Sequence, residues 1–140
     1  MTKFLKVILA MALMLVMLAQ PMYAAEKSVK IKVTVVSVEL VENNHVGNEW
    51  YTEASVNGKA VSDGSSVTLT LKPSAAIKLE AYAQEQDKIP EEDTATASVK
   101  ASSITKTTNK ALSVTVTENR GRYSGETATW KFTFKMQKIS

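Results

Sequence analysis

Apolar and polar residues alternate with a period of two along most of the chain from Val29 onwards. The run "VKIKVTV" places valine and isoleucine on one face and lysine or threonine on the other. The phase then slips by one residue, which predicts a β-bulge near Val35–Val36. The same alternation returns in "VTLTL", "IKLEAYA", "ATASVKA", "LSVTVT" and "TWKFTFKM". This pattern predicts about eight strands and, after the N-terminal segment, no helix.

Turn signals separate these runs. Asn57-Gly58 lies between two strand-like runs and predicts a two-residue hairpin, because both positions of such a turn need positive φ. "SDGSS" predicts a second turn, and Pro73 ends the run "VTLTL" that follows this turn. Short alternating strands joined in this way favour an all-β fold, an eight-stranded antiparallel β-sandwich with one face of each sheet in solvent. Eight residues are predicted to be buried: Val33, Leu69, Leu71, Leu79, Val99, Val114, Phe132 and Phe134.

The N-terminal segment has the three parts of a secretory signal peptide. "MTKFLK" is basic, Val7 to Ala19 is an unbroken apolar run, and Pro21 precedes a small residue at Ala24. A transmembrane anchor is the alternative, but it needs about 20 apolar residues, and this run has 13. We therefore expect residues 1–24 to be a cleaved signal peptide, residues 25–140 to be one domain, and the protein to be secreted or extracytoplasmic.

Composition narrows the classes of function. Loss of Lys3 and Lys6 with the signal peptide leaves 15 basic and 14 acidic residues, a net charge of +1, so bulk charge gives no reason to expect a nucleic-acid partner. The chain has no cysteine and a single histidine, His45. The usual nucleophile–base pairs are therefore missing, and we expect no enzymatic activity.

Two predicted loops carry the candidate chemistry. "VENNHVGNEWY" follows the first strand, and "EQDKIPEEDT" follows "IKLEAYA". Within them, Asn43 and Glu49 are six residues apart, and Glu85, Asp87 and Asp93 form an acid-x-acid-x5-acid series. Calcium takes six to eight oxygen ligands from carboxylates, amides, backbone and water. If the loops meet at one end of the sandwich, these side chains form a calcium site; otherwise they are solvated loop acids.

In these two loops the chain resembles the C2 domains. Their first calcium loop has an Asp followed, six positions on, by the Asp of Gly-x-Asp-Pro-Tyr, and here Asn43, Gly47, Glu49 and Tyr51 occupy the corresponding places. Their third loop reads Asp-x-Asp-x5-Asp, to which Glu85, Asp87 and Asp93 correspond. Asn replaces Asp at position 43, Glu replaces it at 49 and 85, and Trp50 replaces the proline, so the match is degenerate. The resemblance implies a C2-like sandwich that binds Ca²⁺ through Asn43, Glu49, Glu85, Asp87 and Asp93.

Two hypotheses about function follow. The first is a secreted, non-enzymatic binding module, assisted by Ca²⁺, that acts at a membrane or envelope surface. The second is a metal-free structural or adhesion-type β-sandwich that binds another protein through a sheet face or edge. The observation that separates them is whether the loops 43–49 and 85–93 meet at one end of the sandwich with carboxylates close enough together to share one ion.

Overall fold

The computed structural model describes residues 26–140, and these residues form an all-β fold. The eight strands are β1 (Val29–Asn43), β2 (Trp50–Val56), β3 (Lys59–Ala60), β4 (Ser66–Leu71), β5 (Ala76–Glu85), β6 (Glu91–Lys100), β7 (Thr108–Thr117) and β8 (Thr127–Lys138). Two short 3-10 helices, Ala101–Ser103 and Gly121–Tyr123, lie in loops. The part of the chain that is described contains no helix able to cross a membrane. The predicted signal peptide, residues 1–24, lies outside the described residues.

The strands form two antiparallel sheets of four. One sheet has the order β4-β1-β8-β7, and the other has the order β3-β2-β5-β6. Every strand pair is antiparallel, and β5 and β6 of one sheet pack against β7 of the other. The prediction of an eight-stranded antiparallel β-sandwich is therefore confirmed.

The core lies between the sheets and is built from the apolar side of each alternating run. Five of the eight residues predicted to be buried are fully enclosed: Val33, Leu79, Val114, Phe132 and Phe134. The other three, Leu69, Leu71 and Val99, are only half-buried, although they pack against the same core. They belong to the edge strands β4 and β6, which have a neighbouring strand on one side only. Val114 also lies on an edge strand, β7, but β5 and β6 of the other sheet pack against β7 and Val114 is buried.

The predicted backbone irregularities are present. The register between β1 and β8 shifts between Val35 and Ser37, which confirms the bulge. Asn57 has φ of 49° and Gly58 has φ of 78°, the left-handed conformations that a tight hairpin between β2 and β3 requires. Beyond the bulge β1 continues as far as Asn43, with a second register shift between Leu40 and Glu42 and with β8 as its only partner strand among residues 26–140.

Candidate metal centre

Three loops meet at one end of the sandwich: residues 44–49 between β1 and β2, 86–90 between β5 and β6, and 118–126 between β7 and β8. The Gln86 backbone N–H donates to the Glu49 carbonyl at 2.6 Å, which ties the first loop to the second. The His45 ring stacks on Tyr123 with 4.5 Å between the ring centroids, which ties the first loop to the third. The two loops singled out in the sequence therefore do meet.

The loop of residues 44–49 is held in place by its own side chains. The Asn43 amide donates to the Gly47 carbonyl at 2.6 Å, and its oxygen accepts the Val46 N–H at 3.1 Å. The Trp50 indole N–H donates to the same Gly47 carbonyl at 3.2 Å. Val46 is buried in the core at the centre of the loop. This packing presents the loop backbone, including the Glu49 N–H, to the end of β5.

Two glutamates face each other directly below these loops. Glu85 ends β5, Glu91 begins β6, and the strand register pairs them. Glu85 is 2% exposed and Glu91 is 6% exposed. Like charges directly opposite one another in an antiparallel pair are destabilising, and burial increases the cost. A cation or a proton between the two side chains would remove that cost.

Asp87 completes a group of three carboxylates with this pair. One carboxylate oxygen from each of Glu85, Asp87 and Glu91 lies within 4.8 Å of the others. Two oxygens that each lie about 2.4 Å from the same calcium ion can be at most about 4.8 Å apart. The three oxygens are therefore close enough together to share one ion.

One oxygen of this group has no partner. Glu85 accepts the Glu49 N–H at 3.4 Å and the Asp87 N–H at 3.0 Å, one on each carboxylate oxygen. Glu91 Oε1 accepts the Asn119 N–H at 3.5 Å, whereas Glu91 Oε2 is buried without a hydrogen bond among residues 26–140. A buried carboxylate oxygen without a donor is costly, and a bound cation would satisfy it.

The pKa values of the two buried glutamates also favour a bound cation. Burial raises the pKa of Glu85 above its ordinary value, and the neighbouring Asp87 and Glu49 raise it further against the two backbone hydrogen bonds that lower it. Burial likewise raises the pKa of Glu91, and Glu118 and Asp87 add to the effect. The charged neighbours that raise both pKa values are acidic, which is the environment that a divalent cation relieves.

The structure brings only two of the five predicted ligands into the three-carboxylate group. Glu85 and Asp87 are in the three-carboxylate group, whereas Asn43, Glu49 and Asp93 are not. Asn43 closes its loop, Glu49 contributes its backbone, and the exposed Asp93 accepts the N–H of the adjacent Thr94 at 2.8 Å. Whether any of the five binds calcium stays a prediction.

Glu91 was missed because the second loop is shorter than predicted. Its strands extend through Glu85 and from Glu91, so the loop is 86–90 rather than 85–94. Alternation places Glu91 on the same side of β6 as the half-buried Ala95, Ala97 and Val99, but it places Asp93 there too, so it does not separate the two acids. The spacing of the acids favoured Asp93 instead.

Gly47 is required by both conformation and space, which gives a first prediction. It has φ of 130°, and a Cβ atom there would lie 2.3 Å from Glu85 Oε1. We expect Gly47→Ala to lower the free energy of unfolding by about 2 kcal/mol more than Gly64→Ala, measured by chemical denaturation. Gly64 is the matched control because it also has positive φ, at 78°, with nothing within 4 Å of an added Cβ. Equal losses would show that the contact with Glu85 is unimportant.

The chain was also compared with known proteins. No protein-family model and no curated protein matches it. The likeness to C2 domains therefore rests on the residues of its two loops, and the case for a metal rests on the geometry of Glu85, Asp87 and Glu91.

Proposed function

We propose that the protein is a non-enzymatic binding module, assisted by Ca²⁺, that acts at a membrane or envelope surface. The observation that carries the proposal is the buried pair Glu85 and Glu91, joined by Asp87 where three loops meet. Carboxylate oxygens are the ligands that Ca²⁺ prefers, and backbone carbonyls and water complete its shell.

Calcium would act on the shape of the loops as well as on their charge. Glu85 is bonded to the backbone of the first and second loops, and Glu91 is bonded to Asn119 of the third. An ion between these glutamates would hold all three loops in one arrangement. An extracytoplasmic site needs only a weak affinity, with a Kd of about 10⁻⁴ to 10⁻³ M.

A groove beside the group gives the loops a binding surface. It has a volume of about 320 Å³ and runs between the loop of 86–90 and the loop of 118–126. Lys88, Arg120 and Arg122 supply positive charge along it, and Ile89 and Tyr123 are 44% and 39% exposed. The lining also includes three acids, Asp87, Glu91 and Glu118, so the groove would become net positive only when a bound cation offsets their charge. Cationic and apolar side chains side by side suit an anionic lipid or envelope polymer.

Sedimentation with vesicles tests this proposal. We expect the protein to sediment with phosphatidylglycerol-containing vesicles in millimolar calcium, and to sediment much less with chelator, with neutral phosphatidylcholine vesicles or at high salt. The double variant Arg120→Gln/Arg122→Gln should bind more weakly. Lys59→Gln is the matched control, because Lys59 lies beside the hairpin at the opposite end of β2.

The outcomes separate the parts of the proposal. Equal binding with calcium and with chelator would favour a metal-free module. If calcium stabilises the protein but the protein does not bind anionic vesicles, the proposal of a lipid surface would be rejected and the proposal of a metal centre would stand.

A further inference from the structure

The second half of β1 has an open edge. β4 pairs with β1 from Val29 to Thr34, and the turn before β4 adds backbone hydrogen bonds only to Val35. From Val36 to Asn43, no strand among residues 26–140 pairs with that edge, while β8 occupies the other. Strand edges present unpaired N–H and C=O groups that another strand can bind, and natural proteins usually cover them. This edge is about 26 Å long at 3.3 Å per residue.

The edge has no proline and, from Val36 to Asn43, no basic residue of its own, although Lys131 of β8 lies opposite Glu39 and the register shifts again between Leu40 and Glu42. Val36 is 48% exposed, Leu40 38% and Val41 54%. The charged side chains from Val36 to Asn43 are Glu39 and Glu42. A long edge of this kind, apolar and acidic, is typical of a pairing surface rather than of a shielded one.

A pocket opens beside this edge, between the two sheets. It has a volume of about 310 Å³, and its lining includes Val38 of β1, Trp130 of β8 and residues 51–54 of β2. The lining includes Glu53 and Asp63 but no lysine or arginine. The Trp130 indole N–H is buried without an acceptor among the described residues. The pocket therefore has acidic surroundings and is lined in part by the Trp130 ring.

We propose that residues 36–43 of β1 bind an extended, basic segment of a partner protein as an added antiparallel strand. Main-chain hydrogen bonds would extend the sheet where β4 leaves it, and alternate side chains of the segment would face the pocket. Basic residues are required because Glu39 and Glu42 lie on the pairing strand, and opposite charges across a strand pair are favourable. A second copy of the chain would bring the same two carboxylates and no cation. This site shares only Asn43 with the loops of the proposed calcium centre.

Nuclear magnetic resonance with two matched peptides tests the proposal. One is a capped peptide of about nine residues that alternates threonine and valine and carries two arginines. The other replaces both arginines with citrulline, which has nearly the same shape and no charge. Added to the ¹⁵N-labelled protein, the arginine peptide should shift the backbone amide signals of residues 36–43 and the Trp130 indole signal. The backbone amides of Ala97 and Val99 on β6, at the far edge of the other sheet, should not move.

We expect the citrulline peptide to bind about tenfold more weakly. The double variant Glu39→Gln/Glu42→Gln should weaken binding of the arginine peptide to a similar extent. Glu126 is an exposed acid in the loop of 118–126, and Glu126→Gln should leave the binding unchanged. Equal affinity for the two peptides, or shifts confined to residues outside 36–43, would overturn the proposal. Shifts of the same amides that depend on protein concentration alone would also overturn it, and would identify the occupant as a second copy.

Discussion

Replacing Phe132 with alanine is expected to lower the free energy of unfolding by about 3–5 kcal/mol. Phe132 is fully buried in β8, an interior strand of its sheet, opposite Val38 on β1 and Leu112 on β7. Removal of the ring leaves a cavity. Because β8 is paired with β1 on one side and β7 on the other, the strands cannot move together to fill it, and the loss of van der Waals contacts adds to the loss of buried apolar surface.

Urea denaturation of the parent and the variant measures this loss. Lys131→Ala is the matched control, since Lys131 is the next residue on the same strand and its side chain is exposed. It should change the free energy of unfolding by no more than about 0.5 kcal/mol. A loss below about 1 kcal/mol for Phe132→Ala would contradict its place at the centre of the core.

The fold could be predicted from the sequence because the sequence signals that specify its strands and turns are local. Alternation in β5 and β8 identified the inward faces, and Asn57-Gly58 located the hairpin. The slip of phase after Val35 located the bulge, because one extra residue reverses the face of every residue that follows it. Alternation does not show whether a strand lies at the edge or in the interior of its sheet. Leu69, Leu71 and Val99 alternate as regularly as Leu79, but they lie on the edge strands β4 and β6 and are half-buried. Val114 on the edge strand β7 is buried because β5 and β6 pack against β7.

The candidate site was harder to predict, because it depends on where β5 and β6 end. Spacing along the chain made Glu85, Asp87 and Asp93 equivalent members of one series. Strand pairing separates them, since it places Glu91 opposite Glu85 and Asp93 opposite Ala83. The contribution of Asn119 and Glu118 could not be read from spacing at all, because the loop that carries them is about thirty residues away in sequence and only tertiary packing brings it to Glu91.

Calcium at 100 times its Kd is expected to stabilise the protein by about 2.7 kcal/mol, because binding to the folded state alone shifts the unfolding equilibrium. Asp87→Asn and Glu91→Gln should gain much less. Without calcium, both variants should be as stable as the parent or up to about 1 kcal/mol more stable, because a like charge is removed. Asparagine at position 87 still offers the oxygen that accepts the Ile89 N–H at 2.8 Å, so the turn should survive.

Asp93→Asn decides between the two ligand sets. Asp93 was predicted as a ligand from the spacing of the acids but lies outside the three-carboxylate group. Glu91 was not predicted as a ligand but belongs to that group. If Glu91 is a ligand and Asp93 is not, Asp93→Asn should keep the full calcium response and Glu91→Gln should lose it. The reverse result would support the ligands predicted from the C2 resemblance. Unchanged melting curves for the parent in millimolar calcium would reject a metal at this end of the sandwich.

The pH dependence of the same measurement provides an independent test. The pKa values of Glu85 and Glu91 are raised above their ordinary 4.5, mainly by burial. A carboxyl group with a higher pKa in the folded state binds its proton more tightly there, so the metal-free protein should gain stability as pH falls through the folded pKa towards 4.5. Protons and calcium compete for the same oxygens, so the stabilisation by calcium should shrink over that interval. In Glu91→Gln the metal-free gain should be smaller, because only Glu85 remains to take up a proton.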